Sequence, residues 1–204
     1  MSAATSVSIV VANTLTIIAA GVTRTSTAAN GIANVATLDN CDVRVDGTVY
    51  SQGHGVVLLS NNVTDQHSLV VGLGGVVMAN LGSGALLQGT NASVLNYGQI
   101  GSEAAAGVLM SGPGAVVENH GAIFSASSIG VSVSGISSVV RNFGSISSTL
   151  SAGVSLNGLG SSVENYGTIV GRTTAIDGSV NADRVVNAGT LIGLVFLDLE
   201  RDEA

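Results

Sequence analysis

Apolar and polar side chains alternate through a seven-residue phrase, Val-x-Asn-x-Gly-x-Ile, that recurs along the second half of the chain. Val, Asn, Gly and Ile hold every second position, and the positions between them are polar or variable. Successive side chains of a β-strand point to opposite faces of the sheet. The alternation therefore predicts half-buried strands whose variable positions face solvent.

The phrase occurs five times at a nearly constant spacing of 23, 23, 23 and 22 residues. A fixed period in this range indicates a stacked repeat, in which each unit needs its neighbours to bury its apolar face. The asparagines of the phrase are Asn96, Asn119, Asn142, Asn165 and Asn187, and its glycines are Gly98, Gly121, Gly144, Gly167 and Gly189.

Each repeat also contains a Gly-Val segment seven residues after the Ile and a short Ser/Val segment before the next phrase. Two or three short strands per repeat cannot form a core alone, but stacked laps can pair in parallel. The sequence predicts an all-β protein, a single right-handed parallel β-helix of about seven to eight laps of about 23 residues each. The right-handed sense is expected from the general preference for right-handed parallel crossovers.

The predicted solenoid covers residues 1–204 as one domain, with four parts. Residues 1–50 form irregular N-terminal laps that include a degenerate phrase, 43–49, with Val45 in the asparagine position. Residues 60–68 are an inserted loop, residues 71–191 are the regular repeats, and residues 192–204 are a terminal strand and an acidic tail.

The inward-facing asparagine has a structural explanation. A buried amide is costly unless its donors and acceptors are satisfied. Asparagines stacked at one bend can bond to each other and to the backbone of the bend. The Gly two residues later is expected to supply a bend conformation that a Cβ would hinder. We therefore interpret the five asparagines and five glycines as a structural ladder.

Composition narrows the possible partners. The chain has no lysine, and six arginines face 13 acidic residues, for a net charge of −7. This charge excludes the basic surface that nucleic-acid binding needs, so we expect no nucleic-acid partner. We also predict no membrane span, because no apolar stretch reaches about 20 residues. The one cysteine, Cys41, is predicted to be an inert thiol in the core.

The phrase Val-x-Asn-x-Gly-x-Ile, followed by Gly-Val-x-Val and Ser-Ser-Val, resembles the repeats of bacterial surface β-helices. These include autotransporter passengers and filamentous-haemagglutinin-type adhesins. The resemblance covers residues 71–191, with weaker echoes before them. It implies an extracellular or cell-surface rod with an adhesive or structural role. The first residues lack the positive region of a cleavable signal peptide, so export without one is expected.

Some parallel β-helices act on polysaccharides, which makes an enzyme the main alternative. Such enzymes need carboxylates that converge on one face. Glu118 and Glu164 share an outward column two laps apart, with Arg141 between them. We interpret these three residues as an exposed ladder of alternating charge rather than as catalytic groups. A polysaccharide enzyme and a carbohydrate-binding module both remain alternatives.

Two groups of polar residues have metal-ligand chemistry. Aspartates close in sequence could give oxygen ligands to calcium, and two histidines with an aspartate flank or occupy the inserted loop. A turn at Asp46-Gly47 is the simpler explanation of the first group, and nothing in the sequence brings the second group together. We therefore predict no metal site, no cofactor and no catalytic residue. The aspartates are Asp39, Asp42 and Asp46, and the second group is His54, Asp65 and His67.

Two further features suggest contacts with other molecules. The outward positions of the phrase form a candidate interaction column of Tyr97, His120, Phe143 and Tyr166. Stacked rings could contact a surface polysaccharide or another protein; the alternative is that each ring only covers the bend of its own lap. Both ends of a β-helix expose open strand edges, which pair with another chain unless they are capped. We therefore expect self-association into oligomers or filaments.

Overall fold

The computed structural model of the chain describes residues 6–35, 38–60, 65–178 and 183–197. Within these ranges the protein is all-β. The described residues contain no helix, and so none that is long and apolar enough to cross a membrane.

The strands are short, mostly three or four residues, because each side of a lap is only that wide. In chain order the first are β1 (Val7–Ile9), β2 (Leu15–Ile18), β3 (Thr23–Ser26), β4 (Ile32–Asn34), β5 (Asp42–Val45), β6 (Thr48–Ser51), β7 (Val56–Leu58), β8 (Ser68–Val71), β9 (Val76–Ala79), β10 (Ala85–Leu87), β11 (Ser93–Asn96) and β12 (Gln99–Ser102). The rest are β13 (Val108–Met110), β14 (Val116–Asn119), β15 (Ala122–Ser125), β16 (Val131–Val133), β17 (Val139–Asn142), β18 (Ser145–Ser148), β19 (Val154–Leu156), β20 (Ser162–Asn165), β21 (Thr168–Gly178), β22 (Arg184–Asn187) and β23 (Thr190–Phe196).

These strands wind into a parallel β-solenoid with three sides. One side is an eight-stranded sheet in the order β2-β5-β8-β11-β14-β17-β20-β22, with one strand for each of eight laps. The other two sides belong to one 15-stranded sheet, because β21 continues around the bend between them and pairs with both β18 and β19. The predicted fold class, lap length and number of laps are confirmed, and the right-handed sense stays a prediction.

Strand register aligns equivalent residues of successive laps into columns. Val94, Val117, Val140 and Val163 form one inward column, each paired with the next. All four are at most 1% exposed. Such columns make a dry aliphatic core that runs along the rod, and burial of these side chains is the main favourable term in its stability.

The irregular first laps follow the same plan as the regular ones. Val45 and Val71 pair in the column that holds Asn96 further along, so Val45 does take the asparagine position. The connection that contains the predicted inserted loop is longer than its regular counterpart. Nine residues, 59–67, separate β7 from β8, whereas five, 88–92, separate β10 from β11. Part of this loop and the predicted acidic tail (residues 61–64 and 198–204) lie outside the described residues.

Candidate functional site

The predicted asparagine ladder is present at the bend between the first and second sides. The side-chain amide of Asn96 donates to Oδ1 of Asn119 at 2.8 Å, and the same bond joins every later pair at 2.7–2.8 Å. Each Nδ2 atom also lies close to backbone oxygens, as Asn119 does to the carbonyls of Gly121 and Ser145. Four of the five asparagines are fully buried. The ladder therefore satisfies buried polar groups and leaves no free amide on the rod's side for a ligand.

The ladder glycines are required for a different reason from the one expected. None of them has a positive φ, so the bend needs no conformation special to glycine. A Cβ on Gly98 would lie 2.1 Å from the carbonyl oxygen of Gly75, and one on Gly144 would lie 2.1 Å from that of Gly121. Glycine is needed because the backbones of successive laps approach too closely for a side chain.

A second polar column lies at the next bend and was not predicted. Ser102, Ser125 and Ser148 are at least 96% buried. The hydroxyl of each donates to a carbonyl oxygen of the preceding lap and accepts a hydrogen bond from the backbone N–H three residues later. For Ser102 these partners are the Gly82 carbonyl and the Ala105 N–H. The repeated Ile-x-Ser in the sequence was the available signal for this column.

The interaction column forms a continuous stack of rings. The ring centroids of Tyr97 and His120 are 4.8 Å apart, those of His120 and Phe143 are 4.7 Å apart, and those of Phe143 and Tyr166 are 5.2 Å apart. The interplanar angles are 15° or less. The inner rings therefore cover each other's faces and present mainly edges to solvent. A sugar stacks on a ring face, so this column is a poor sugar platform.

The charged column beside the stack has protein partners. Nε of Arg141 lies 3.2 Å from Oε2 of Glu164, while Glu118 bonds to His120 at 2.8 Å. The two glutamates thus point to different partners instead of converging on one substrate position. This geometry matches a ladder of surface charges better than an acid–base pair.

The three neighbouring aspartates also separate. Asp46 takes a bidentate ion pair with Arg44 at 2.7 and 2.8 Å, and Asp42 accepts a hydrogen bond from Ser68. Asp39 lies against Asp65, and the hydrogen bond and charge of that carboxyl raise the pKa of Asp39. Among the described residues no three His, Cys, Asp or Glu side chains form a metal-binding group.

Each histidine of the second group accepts a hydrogen bond from a backbone N–H of another lap. Nδ1 of His54 accepts from Ser83 at 2.8 Å, and burial lowers the pKa of this histidine. Nδ1 of His67 accepts from Cys41 at 3.0 Å, so the Nε2 that lies 3.1 Å from the Leu59 carbonyl carries the proton. Both rings therefore act as supports for neighbouring laps.

Two buried groups lie near His67. Asp65 is 1% exposed, and its Oδ2 accepts from Ser60. Its Oδ1 accepts no hydrogen bond from an N–H group or hydroxyl of any described residue. The same carboxyl lies against the Asp39 carboxyl. Cys41 is fully buried, and burial raises the pKa of its thiol. The thiol therefore stays protonated and unreactive, as a core residue does.

A groove of about 400 Å³ opens on the second side near the N-terminal end. The Tyr50 ring, which is 48% exposed, stands next to Met78 in the same outward column. The polar edge of the groove includes Glu103 and an amide pair in which Asn80 donates to Gln52 at 3.1 Å. Among the described residues that line the groove there is one carboxylate and no basic side chain.

The last lap exposes a core-column residue, Val195, together with two apolar neighbours that lie outside the core columns. Val195 pairs with the fully buried Ile176 yet is 44% exposed. Its neighbours Leu194 and Phe196 are 71% and 56% exposed. Both β22 and β23 also have an outer edge with no strand on it within the described residues.

Comparison with protein-family models, with curated proteins and with solved structures finds no match for this chain.

Proposed function

We propose that this protein is a non-enzymatic structural solenoid that self-associates through its end laps. The observation that carries the proposal is the exposure of core-column residues in the last lap, above all Val195. Every inner lap of the same column is covered by the lap that follows. A further lap from another molecule would cover Val195 in the same way.

Both the side chains and the backbone of the last lap favour association with a further strand. Leu191 and Val185 are only partly buried, although Ile169 and Val163 in the same columns are fully buried. Covering apolar surface stabilises a complex by about 25 cal/mol per Å² of area removed from water. The open edges of β22 and β23 also offer unpaired backbone groups, which favour pairing with another strand.

The rod itself suits a structural role. The asparagine ladder fixes each regular lap on the one before it, and the outward pair of Arg141 with Glu164 joins two further laps at the surface. Together with the resemblance of the repeats to bacterial surface β-helices, these features support a place at the cell surface or in the extracellular matrix. An adhesive role there is part of the proposal.

Sedimentation velocity over a wide range of protein concentrations tests self-association. We expect the wild-type chain to form species larger than a monomer as concentration rises. Leu194→Lys should shift this transition to higher concentration, because a charge would have to be desolvated at the contact. Ile136→Lys is the matched control, since Ile136 is 55% exposed on a bend in the middle of the rod. A wild-type chain that stays monomeric throughout would contradict the proposal.

Binding of a neutral glycan in the groove at Tyr50 is a second candidate function. An exposed ring beside amide and carboxylate groups provides a surface for sugar C–H groups and partners for sugar hydroxyls. The groove volume lies within the range of about 300–1,000 Å³ that is usual for ligand sites. The single carboxylate, Glu103, and the lack of a basic side chain in the described lining favour a neutral sugar over an acidic one.

Calorimetric titration with cellohexaose, mannohexaose, laminarihexaose and chitohexaose tests this second function. We expect binding of one of them, and at least a tenfold loss of affinity in Tyr50→Ala. Tyr166→Ala is the control, because it removes an equally exposed ring from the aromatic stack. Absence of binding by all four sugars, or an equal loss in both variants, would rule out the groove as a neutral-glycan site.

A further inference from the structure

The two ends of the solenoid differ in the residues that they place in the core columns. At the N-terminal end, Arg24 of β3 occupies the column that continues through Val49 and ends at Leu191. All members of this column from Val49 to Ile169 are fully buried aliphatic residues. Arg24 is exposed and makes no ion pair with any described residue. A charged side chain therefore stands over one open end of the core.

From this asymmetry we propose that two copies associate through their C-terminal end laps into a closed dimer, and that Arg24 prevents head-to-tail growth into filaments. The proposal rests on the self-association proposed above and specifies its geometry. The partner is a second copy of this chain, and the surface is formed by β22 and β23.

Head-to-tail stacking in register would bring three mismatches together. Arg24 of one copy would lie on Leu191 of the next and be enclosed between aliphatic layers, which is unfavourable for an unpaired guanidinium. Thr16 would lie on Val185, because both belong to the column of Val43. The inward column of the third side would match, because Val7 would lie on Val195 and both are aliphatic.

The third mismatch breaks the asparagine ladder. Each asparagine donates to the next lap in the C-terminal direction, so the amide of Asn187 has donor capacity toward the open end. The residue in the same column at the N-terminal end is Ile18, which pairs with Val45. An aliphatic side chain cannot accept that hydrogen bond, and an unsatisfied buried donor opposes association.

The C-terminal end is compatible with itself. Its three core-column residues, Val185, Leu191 and Val195, are all aliphatic, and Asn187 carries both a donor and an acceptor. A two-fold axis places the same surface on both copies, so apolar side chains meet apolar side chains. The edge strands then run in opposite directions, and antiparallel pairing satisfies their backbone groups as well as parallel pairing does.

Electron microscopy combined with sedimentation velocity tests the geometry. We expect wild-type particles up to twice the length of a monomer and none longer. Val195→Lys should leave monomers. Arg24→Leu should produce particles longer than a dimer at the same concentration, because it turns the blocking charge into an aliphatic layer. Such a gain of length cannot result from misfolding if circular dichroism still shows the β-solenoid.

Two variants control for charge alone. Arg24→Lys keeps the cation and should behave as wild type. Arg172→Leu removes an exposed cation from the lap before the last and should not lengthen the particles. Wild-type filaments would overturn the closed dimer, and an Arg24→Leu variant that stops at dimers would overturn the role of Arg24. Both outcomes would leave self-association intact. Monomers at every concentration would overturn both proposals.

Discussion

Asn142 donates its side-chain amide to Oδ1 of Asn165 at 2.8 Å, one lap further along the rod, and both side chains are fully buried. Asn142 in turn accepts from Asn119 at 2.8 Å. A residue in the middle of the ladder therefore serves two neighbours as well as the carbonyls of its bend, so its loss leaves buried groups unsatisfied on both sides.

We predict that Asn142→Ala lowers the free energy of unfolding by about 2–4 kcal/mol, because it leaves a buried donor and a buried acceptor without partners. Asn187→Ala should cost less than about 1 kcal/mol, since Asn187 is exposed at the end of the ladder. Urea titration followed by circular dichroism measures both. Equal losses in the two variants would contradict a cooperative ladder.

Gly144→Ala should destabilise the protein by more than about 2 kcal/mol, because the new Cβ would lie 2.1 Å from the backbone oxygen of Gly121 and backbone cannot move aside easily. Gly74→Ala is the matched control. Its nearest atom would be 3.9 Å away, and its φ is not positive. It should be neutral or stabilising by up to about 1 kcal/mol. Thermal unfolding of the two variants compares them directly, and similar melting temperatures would remove close lap spacing as the reason for the ladder glycines.

Burial lowers the pKa of His54, so the native state resists its protonation. The contribution of neutral His54 is fully present above its unfolded value of about 6.5 and is lost as the pH falls below that value toward the folded pKa. We expect the wild-type melting temperature to fall more between pH 7.5 and 5.5 than that of His54→Gln. Parallel pH profiles of the two proteins would show that this histidine is not the titrating group.

The pKa of Asp39 is raised by the hydrogen bond and charge of Asp65, so the native state holds this proton more tightly than the unfolded chain. This stabilising contribution is present below the ordinary value of about 3.8 and is lost as the pH rises through the folded pKa. Asp39→Asn should therefore raise the melting temperature at pH 7 and have little effect at pH 3.

Glu103→Gln removes one acidic charge at a different bend of the solenoid and is the control for Asp39→Asn. It should leave the melting temperature unchanged at both pH 7 and pH 3. A melting temperature of Asp39→Asn that is unchanged at pH 7 would show that Asp39 and Asp65 do not repel each other.

The regular laps were predictable because one phrase carries several constraints at once. In residues 94–100, the alternation identifies inward positions, the 23-residue period identifies the stacking partner, and a buried amide needs a partner of its own kind. Together these place Asn96 beside Asn119 without any knowledge of the structure. The reason for Gly98 was less accessible, because the distance between backbones of successive laps is not a property of one residue's conformation.

What the sequence did not reveal lies where the phrase is missing. Nothing in the sequence around Arg24 marks it as a core-column residue. Only the strand register, which pairs it with Val49, shows that it lies at the end of that column. The contact between Asp39 and Asp65 crosses the insertion, so no constant spacing relates the two residues. The Tyr50 groove depends on the shape formed by several laps of unequal length. These features arise from three-dimensional alignment of irregular segments, which periodicity alone does not provide.

The constant register between Asn96 and Asn165 has a consequence for how rods of this kind can change over time. Because these laps present the same columns above and below, a whole lap can be duplicated or deleted and the cut surfaces will still match. The length of the rod then changes in steps of about 4.8 Å, the spacing between neighbouring strands. Its two distinct end laps stay the same, whatever the number of laps between them.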